Sequence, residues 1–66
     1  MQGNNIREIR KERRMTLAEL SEKVNISIAY LSDIERGNRP GGKGTLERIA
    51  GVLGVSVSEL TKQEAS

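Results

Sequence analysis

Residues 16–37 read TLAELSEKVNISIAYLSDIERG, and their punctuation decides the fold. Thr16 with Glu19 three residues on is a capping box. The hydroxyl and the carboxylate satisfy N–H groups that a helix start leaves without partners. Met15 before this cap and Leu20 after it have the spacing of a hydrophobic staple. Leu17, Leu20, Ser21 and Val24 then recur at i, i+3, i+4 and i+7, which is one face of a helix. Asn25 falls where a left-handed turn residue is needed. Ile26 is placed to plug the core, and Ser27 caps a second helix, with Ile26 and Leu31 as its staple. Leu31 and Ile34 give that helix a buried edge, and Gly37 ends it.

The same marks continue on either side. Asn5 with Glu8 starts a helix upstream, since Asn is a good cap. Downstream, Leu46, Ile49, Ala50 and Leu53 form another stripe that Gly54 terminates. Ser56 with Glu59 repeats the capping box, with Val55 and Leu60 as the staple. These marks predict an all-α chain of five short helices over 5–14, 16–24, 27–36, 45–53 and 57–62. Residues 1–4 and 63–66 are expected to be flexible ends around one domain spanning 5–62. No alternation suggests a strand. Sixty-six residues leave room for one small core.

Composition removes most catalytic chemistry. There is no Cys and no His, and Tyr30 is the lone aromatic. Disulfides, thiolate nucleophiles, imidazole bases and zinc sites of the usual N/S type are therefore excluded. We expect no enzyme activity, no metal and no cofactor. No apolar run approaches the ~20 residues that span a bilayer, so the expectation is a cytoplasmic protein with no membrane partner.

Charge is patterned. Residues 1–14 carry +3, residues 15–35 carry −3, residues 36–48 return to +3, and the remainder carries −1. Basic blocks flanking an acidic stretch, at a pI of 9.4, suit an anionic partner. Nucleic acid fits better than membrane, because no basic face is paired with bulky aromatics. The run GNRPGGKGT, residues 37–45, formally fits a nucleotide-binding loop. Such a loop needs a strand before it and a parallel sheet around it, and neither has room here, so no nucleotide is expected. Glycines that expose backbone N–H groups, with Arg36, Arg39 and Lys43 beside them, suit a DNA phosphate instead. The glycines also predict a late start for the fourth helix, near Thr45.

The tight join through Val24, Asn25, Ile26 and Ser27, with small Ser21 where the helices cross, is a helix-turn-helix arrangement. It makes 27–36 the recognition helix. The run TLAELSEKVNISIAYLSDIERG, continued by LERIAGVLGVSVSEL, resembles the small helix-turn-helix repressors of temperate phages and the Xre-type bacterial regulators. The resemblance covers residues 6–61. It implies a compact five-helix domain that binds double-stranded operator DNA as a symmetric homodimer.

Carried over position by position, the resemblance places Ser27, Ile28, Ala29 and Asp33 where relatives read base edges, with Ser32 beside them. None is an Arg, Gln or Asn able to make a bidentate contact with guanine or adenine. Ile28 and Ala29 suit thymine methyls, the serines can donate or accept, and Asp33 can accept from cytosine N4. Specificity would then lean on apolar contacts, water and DNA shape. Many relatives have a phosphate-holding Gln where this chain has Leu17, which leaves the backbone N–H groups of that helix start. Tyr30, Arg36, Asn38, Arg39 and Lys43 complete the expected phosphate contacts. The resemblance also implies a partly buried ion pair between Arg10 and Glu35, tying the first helix to the third.

Dimer positions of the family match Val57 and Leu60. Val52 lies about 110° off the core stripe by the helical period and joins them as a candidate interface residue. The alternative function is a protein-interaction module of the same fold, such as an antitoxin-like partner, in which Ile28 and Ala29 touch protein.

Overall fold

A computed structural model describes residues 5–61. They form five α-helices: α1 (Ile6–Glu12), α2 (Leu17–Val24), α3 (Ile28–Arg36), α4 (Lys43–Leu53) and α5 (Val57–Thr61). Among the described residues there is no strand, so the architecture is all-α. The expected flexible ends, 1–4 and 63–66, and position 62 at the expected end of the last helix lie outside the described residues.

Every helix contributes to one core. Ile6 comes from α1, Leu20 and Val24 from α2, and Leu31 and Ile34 from α3. Ile49, Ala50 and Leu53 come from α4 and Leu60 from α5, and all nine are buried. α2 packs against α3 and α4, and α4 packs against α5. Ser21 is buried at the α2 crossing, where its hydroxyl donates to the Ala18 carbonyl at 2.8 Å. A small side chain permits the close approach, and its polar end is satisfied locally.

The caps are those the sequence marks. Thr16 Oγ1 accepts from the Glu19 amide at 3.0 Å, while Glu19 Oε1 accepts from the Thr16 amide at 2.8 Å. Ser27 Oγ accepts from the Tyr30 amide at 3.0 Å. Ser56 and Glu59 exchange the same two bonds, at 3.3 and 3.1 Å. Asn25 holds φ 67°, and the amides of Asn25 and Ile26 donate back to Glu22 and Ser21. That pair of bonds satisfies carbonyls that the end of α2 would otherwise leave open.

Two helix boundaries and one cap stand out as different from the sequence reading. α1 ends at Glu12 rather than 14, because Arg14 turns into the left-handed region at φ 57°. The Arg14 and Met15 amides then donate to Lys11 and Arg10, and Met15 swings onto the core. Asn5 makes no side-chain cap. Its amide donates to the Leu60 carbonyl at 2.9 Å and its Nδ2 to the Glu59 carbonyl at 3.0 Å, fastening α1 to α5. α4 begins at Lys43, not Thr45, with Gly42 as its cap. The stripe of Leu46, Ile49, Ala50 and Leu53 fixes the helix axis. Tertiary packing then outweighs the poor propensity of Gly44 and carries the helix back to the turn at Gly41.

Arg13, part of the first basic block, is structural: its Nε donates to the Leu53 carbonyl at 3.1 Å, at the C-terminal end of α4. No helix among the described residues is long and apolar enough to cross a membrane.

Candidate nucleic-acid interface

The N-terminal end of α3 is held out to solvent. Ile28 is 49% exposed, and Ser27 and Ala29 beside it are exposed too. Among the described residues, Ile28 and Val52 are the exposed large apolar side chains. Because Ser27 Oγ already accepts from the Tyr30 amide, its hydroxyl is left chiefly as a donor. Ser32 and Asp33, one turn on, are half-buried. All five expected base readers thus lie on α3 or at its cap, with an apolar tip and a carboxylate farther along.

At the other end of α3 the chain reverses through Gly37–Gly42. Gly37 holds φ 82° and its amide donates to the Ile34 carbonyl. The amides of Asn38 and Arg39 both donate to the Asp33 carbonyl, at 2.9 and 3.3 Å. The loop is then pinned to the core at Gly41. At φ 72°, a Cβ there would lie 3.2 Å from Ile34 Cδ1 and 3.4 Å from Leu46 Cδ2. Only glycine accommodates both the backbone angle and the space.

This fold-back brings Arg39 over α3. Its Nε lies 3.3 Å from Asp33 Oδ2, and its guanidinium sits 5.8 Å from the centre of the Tyr30 ring. Tyr30 itself is half-buried and packs on the core, so its ring is a platform for the arginine. The sequence reading missed this cluster. Its signal was the Gly37 turn, which returns a residue six positions after Asp33 to the same helix. Arg36, Asn38 and Lys43 are exposed around the same turn.

Two helix starts lie at this surface, α2 with its capping box and α4 without a side-chain cap. The Leu17 side chain packs against the core, which leaves backbone N–H groups as what that helix start offers an anion. α4 begins on Gly42 with no side-chain cap and no acidic residue in its first turn. Its positive end therefore sits next to Lys43 with no carboxylate in the same turn.

Arg10 and Glu35 are in contact; Arg10 is buried and Glu35 is half-buried, with its side chain 6% exposed. Arg10 Nε to Glu35 Oε2 is 2.7 Å and Nη2 to Oε1 is 3.1 Å, a bidentate pair. Arg10 Nη1 also donates to the Met15 carbonyl at 2.9 Å, so one guanidinium joins α1, α3 and the turn before α2. α3 is held in place from behind.

The expected dimer residues separate. Val52 is 37% exposed on α4, and Val57 is half-buried at the start of α5. Leu60 has no exposed surface. Its place on a dimer face is corrected: with its neighbours of the core it closes the monomer.

The Helix-turn-helix family model (HTH_3) matches residues 6–60. The immunity repressor protein of Bacillus phage phi105 is 47% identical over 62 residues, covering 94% of this chain and 43% of that protein. The transcriptional regulator SinR of Bacillus subtilis is 38% identical over 65 residues, covering 97% of this chain and 59% of its own length. The chain therefore spans about half the length of these relatives. A solved structure of SinR, the master regulator for biofilm formation, in complex with DNA superposes with a TM-score of 0.80. It is 41% identical, covering 91% of this chain and 97% of the other.

Proposed function

The chain belongs to the helix-turn-helix family, and on that premise we propose that it is a sequence-specific DNA-binding transcriptional regulator, a repressor. It acts as a homodimer on a near-palindromic operator. α3 lies in the major groove, with Ser27, Ile28, Ala29, Ser32 and Asp33 toward the base edges. The backbone at Leu17, together with Tyr30, Arg36, Asn38, Arg39 and Lys43, meets phosphates.

The observation that carries this reading is the exposed tip of α3. Ile28 and Ala29 stand exposed at the start of the second helix of a helix-turn-helix, side by side with the exposed Ser27. Apolar side chains there suit thymine methyls. A single helix this poor in bidentate readers covers too few base pairs to be selective, which favours two half-sites about 34 Å apart. Val52 and Val57 are the residues we assign to the dimer contact. No cofactor or nucleotide enters the reading, and the setting it implies is the bacterial cytoplasm.

Selection of duplexes from a random pool, followed by salt titration, tests it. The expected result is one enriched sequence with twofold character, bound by two chains in sedimentation. Affinity should fall by orders of magnitude between about 50 and 200 mM salt. Lys43→Ala should weaken selected and random DNA alike and reduce the salt slope by about one. Val57→Asp should weaken cooperativity more than half-site affinity. No enrichment, or binding of a protein partner that salt barely changes, would overturn the reading in favour of an interaction module.

A further inference from the structure

We propose that Asp33 and Arg39 form a sequence-dependent latch, in which Asp33 decides whether Arg39 can reach the DNA backbone. The proposal rests on the DNA-binding reading and assigns a specificity role to a contact within this chain. In the free protein the two side chains lie 3.3 Å apart, with side-chain exposures of 37% for Asp33 and 62% for Arg39. Arg39 also rests over the Tyr30 ring, and the Asn38 and Arg39 amides bind the Asp33 carbonyl. The loop backbone is thus fixed to α3 whichever way the Arg39 side chain turns. Pro40 and the packed Gly41 restrict it further. Only the side chains are free to exchange partners.

DNA asks the two groups to separate. A phosphate attracts Arg39, while the polyanion repels the carboxylate left behind on the groove side of α3. The separation is favourable only where a base edge donates to Asp33. In the major groove the donors are the exocyclic amino groups of cytosine and adenine. Opposite such a base both groups gain a partner: Asp33 an amino group and Arg39 a phosphate. Opposite guanine O6 or thymine O4, two acceptors, the pair stays closed and one phosphate contact is lost. Asp33 therefore acts chiefly by withholding Arg39 from wrong sequences, a repulsive element rather than an attractive one. An exposed pair is weak enough to be exchanged in this way.

The test is a double-mutant cycle of Asp33→Asn and Arg39→Gln, measured by salt titration on the selected duplex and on random DNA. In the unaltered chain the salt slope should be steeper on selected DNA than on random DNA by about one phosphate. Asp33→Asn should raise affinity for random DNA on the order of three- to tenfold and steepen that slope by about one. The selected-to-random ratio then falls. In the Arg39→Gln background, Asp33→Asn should leave the random-DNA slope unchanged. An equal gain in both backgrounds would overturn the latch, since it would mark simple removal of a negative charge. No gain in either background would overturn it as well. If the unaltered chain binds no duplex at about 50 mM salt, the DNA-binding reading itself fails, which is a different result from either.

Discussion

Two arginine–carboxylate pairs end on α3 at positions 33 and 35, and they have little else in common. Arg10–Glu35 is bidentate, with its side chains 11% and 6% exposed, and it carries an extra bond to the Met15 carbonyl. Arg39–Asp33 is a single contact at 3.3 Å between an exposed arginine and a half-buried aspartate. Two residues along a helix differ by about 200° in direction, so one pair faces inward and the other outward. The inner pair cannot be opened without stranding a charge in the core. The outer pair can be exchanged for water, phosphate or a base at little cost. The same helix is thereby fixed on one side and adjustable on the other.

The largest expected effect breaks the inner pair. Arg10→Met leaves the Glu35 carboxylate buried without its cation and should cost about 3 kcal/mol. It also removes the bond to Met15. Arg10→Met combined with Glu35→Leu should recover most of that loss, since apolar side chains of similar volume often replace a buried pair without penalty. Urea unfolding of the three proteins measures both. If the single substitution shifts the midpoint no more than a surface change does, the inner pair is ordinary surface chemistry and the contrast disappears.

Next in size is Gly41→Ala, which sharpens the contrast by disturbing the loop behind Arg39 while leaving Arg10–Glu35 intact. The left-handed angle alone costs about 1–2 kcal/mol, and the new Cβ meets Ile34 Cδ1 at 3.2 Å. A midpoint unchanged or raised would mean that the loop is not pinned to the core. It would also remove the fixed backbone on which the exchange of Arg39 depends.

Much of this was legible before any coordinates. The helix order, Asn25 in its left-handed turn and the capping boxes at Thr16 and Ser56 follow from local chemistry that the chain carries at fixed spacing. The Arg10–Glu35 contact was reachable only through family resemblance, because nothing local relates positions 25 residues apart. What escaped was tertiary. Asn5 looked like a cap, but its partners are carbonyls at Glu59 and Leu60 at the far end of the chain. Leu60 looked available to a partner, yet the small core takes all of its surface. The early start of α4 and the fold-back of Arg39 onto Asp33 both depend on how Gly41 packs against Ile34 and Leu46. No spacing rule encodes that contact.

The smallest expected effect is Asp33→Ala, measured as stability. The exposed pair contributes about 0.2–1 kcal/mol, and its loss is opposed by two gains. Alanine is a better helix former than aspartate by about 0.5 kcal/mol. A negative charge toward the C-terminal end of α3 is also unfavourable to the helix dipole, by a few tenths of a kcal/mol. The Asp33 carbonyl, which accepts from the Asn38 and Arg39 amides, is backbone and survives the change. The net shift should stay within about 0.5 kcal/mol, or roughly 2–4 °C in Tm for a domain of this size. It should shrink further in high salt as the surface charges are screened. Thermal melts at about 20 and 500 mM salt check both statements. A loss well above 1 kcal/mol that persists in high salt would place Asp33 with Glu35 as a fastening of the fold, and α3 would then have no adjustable side.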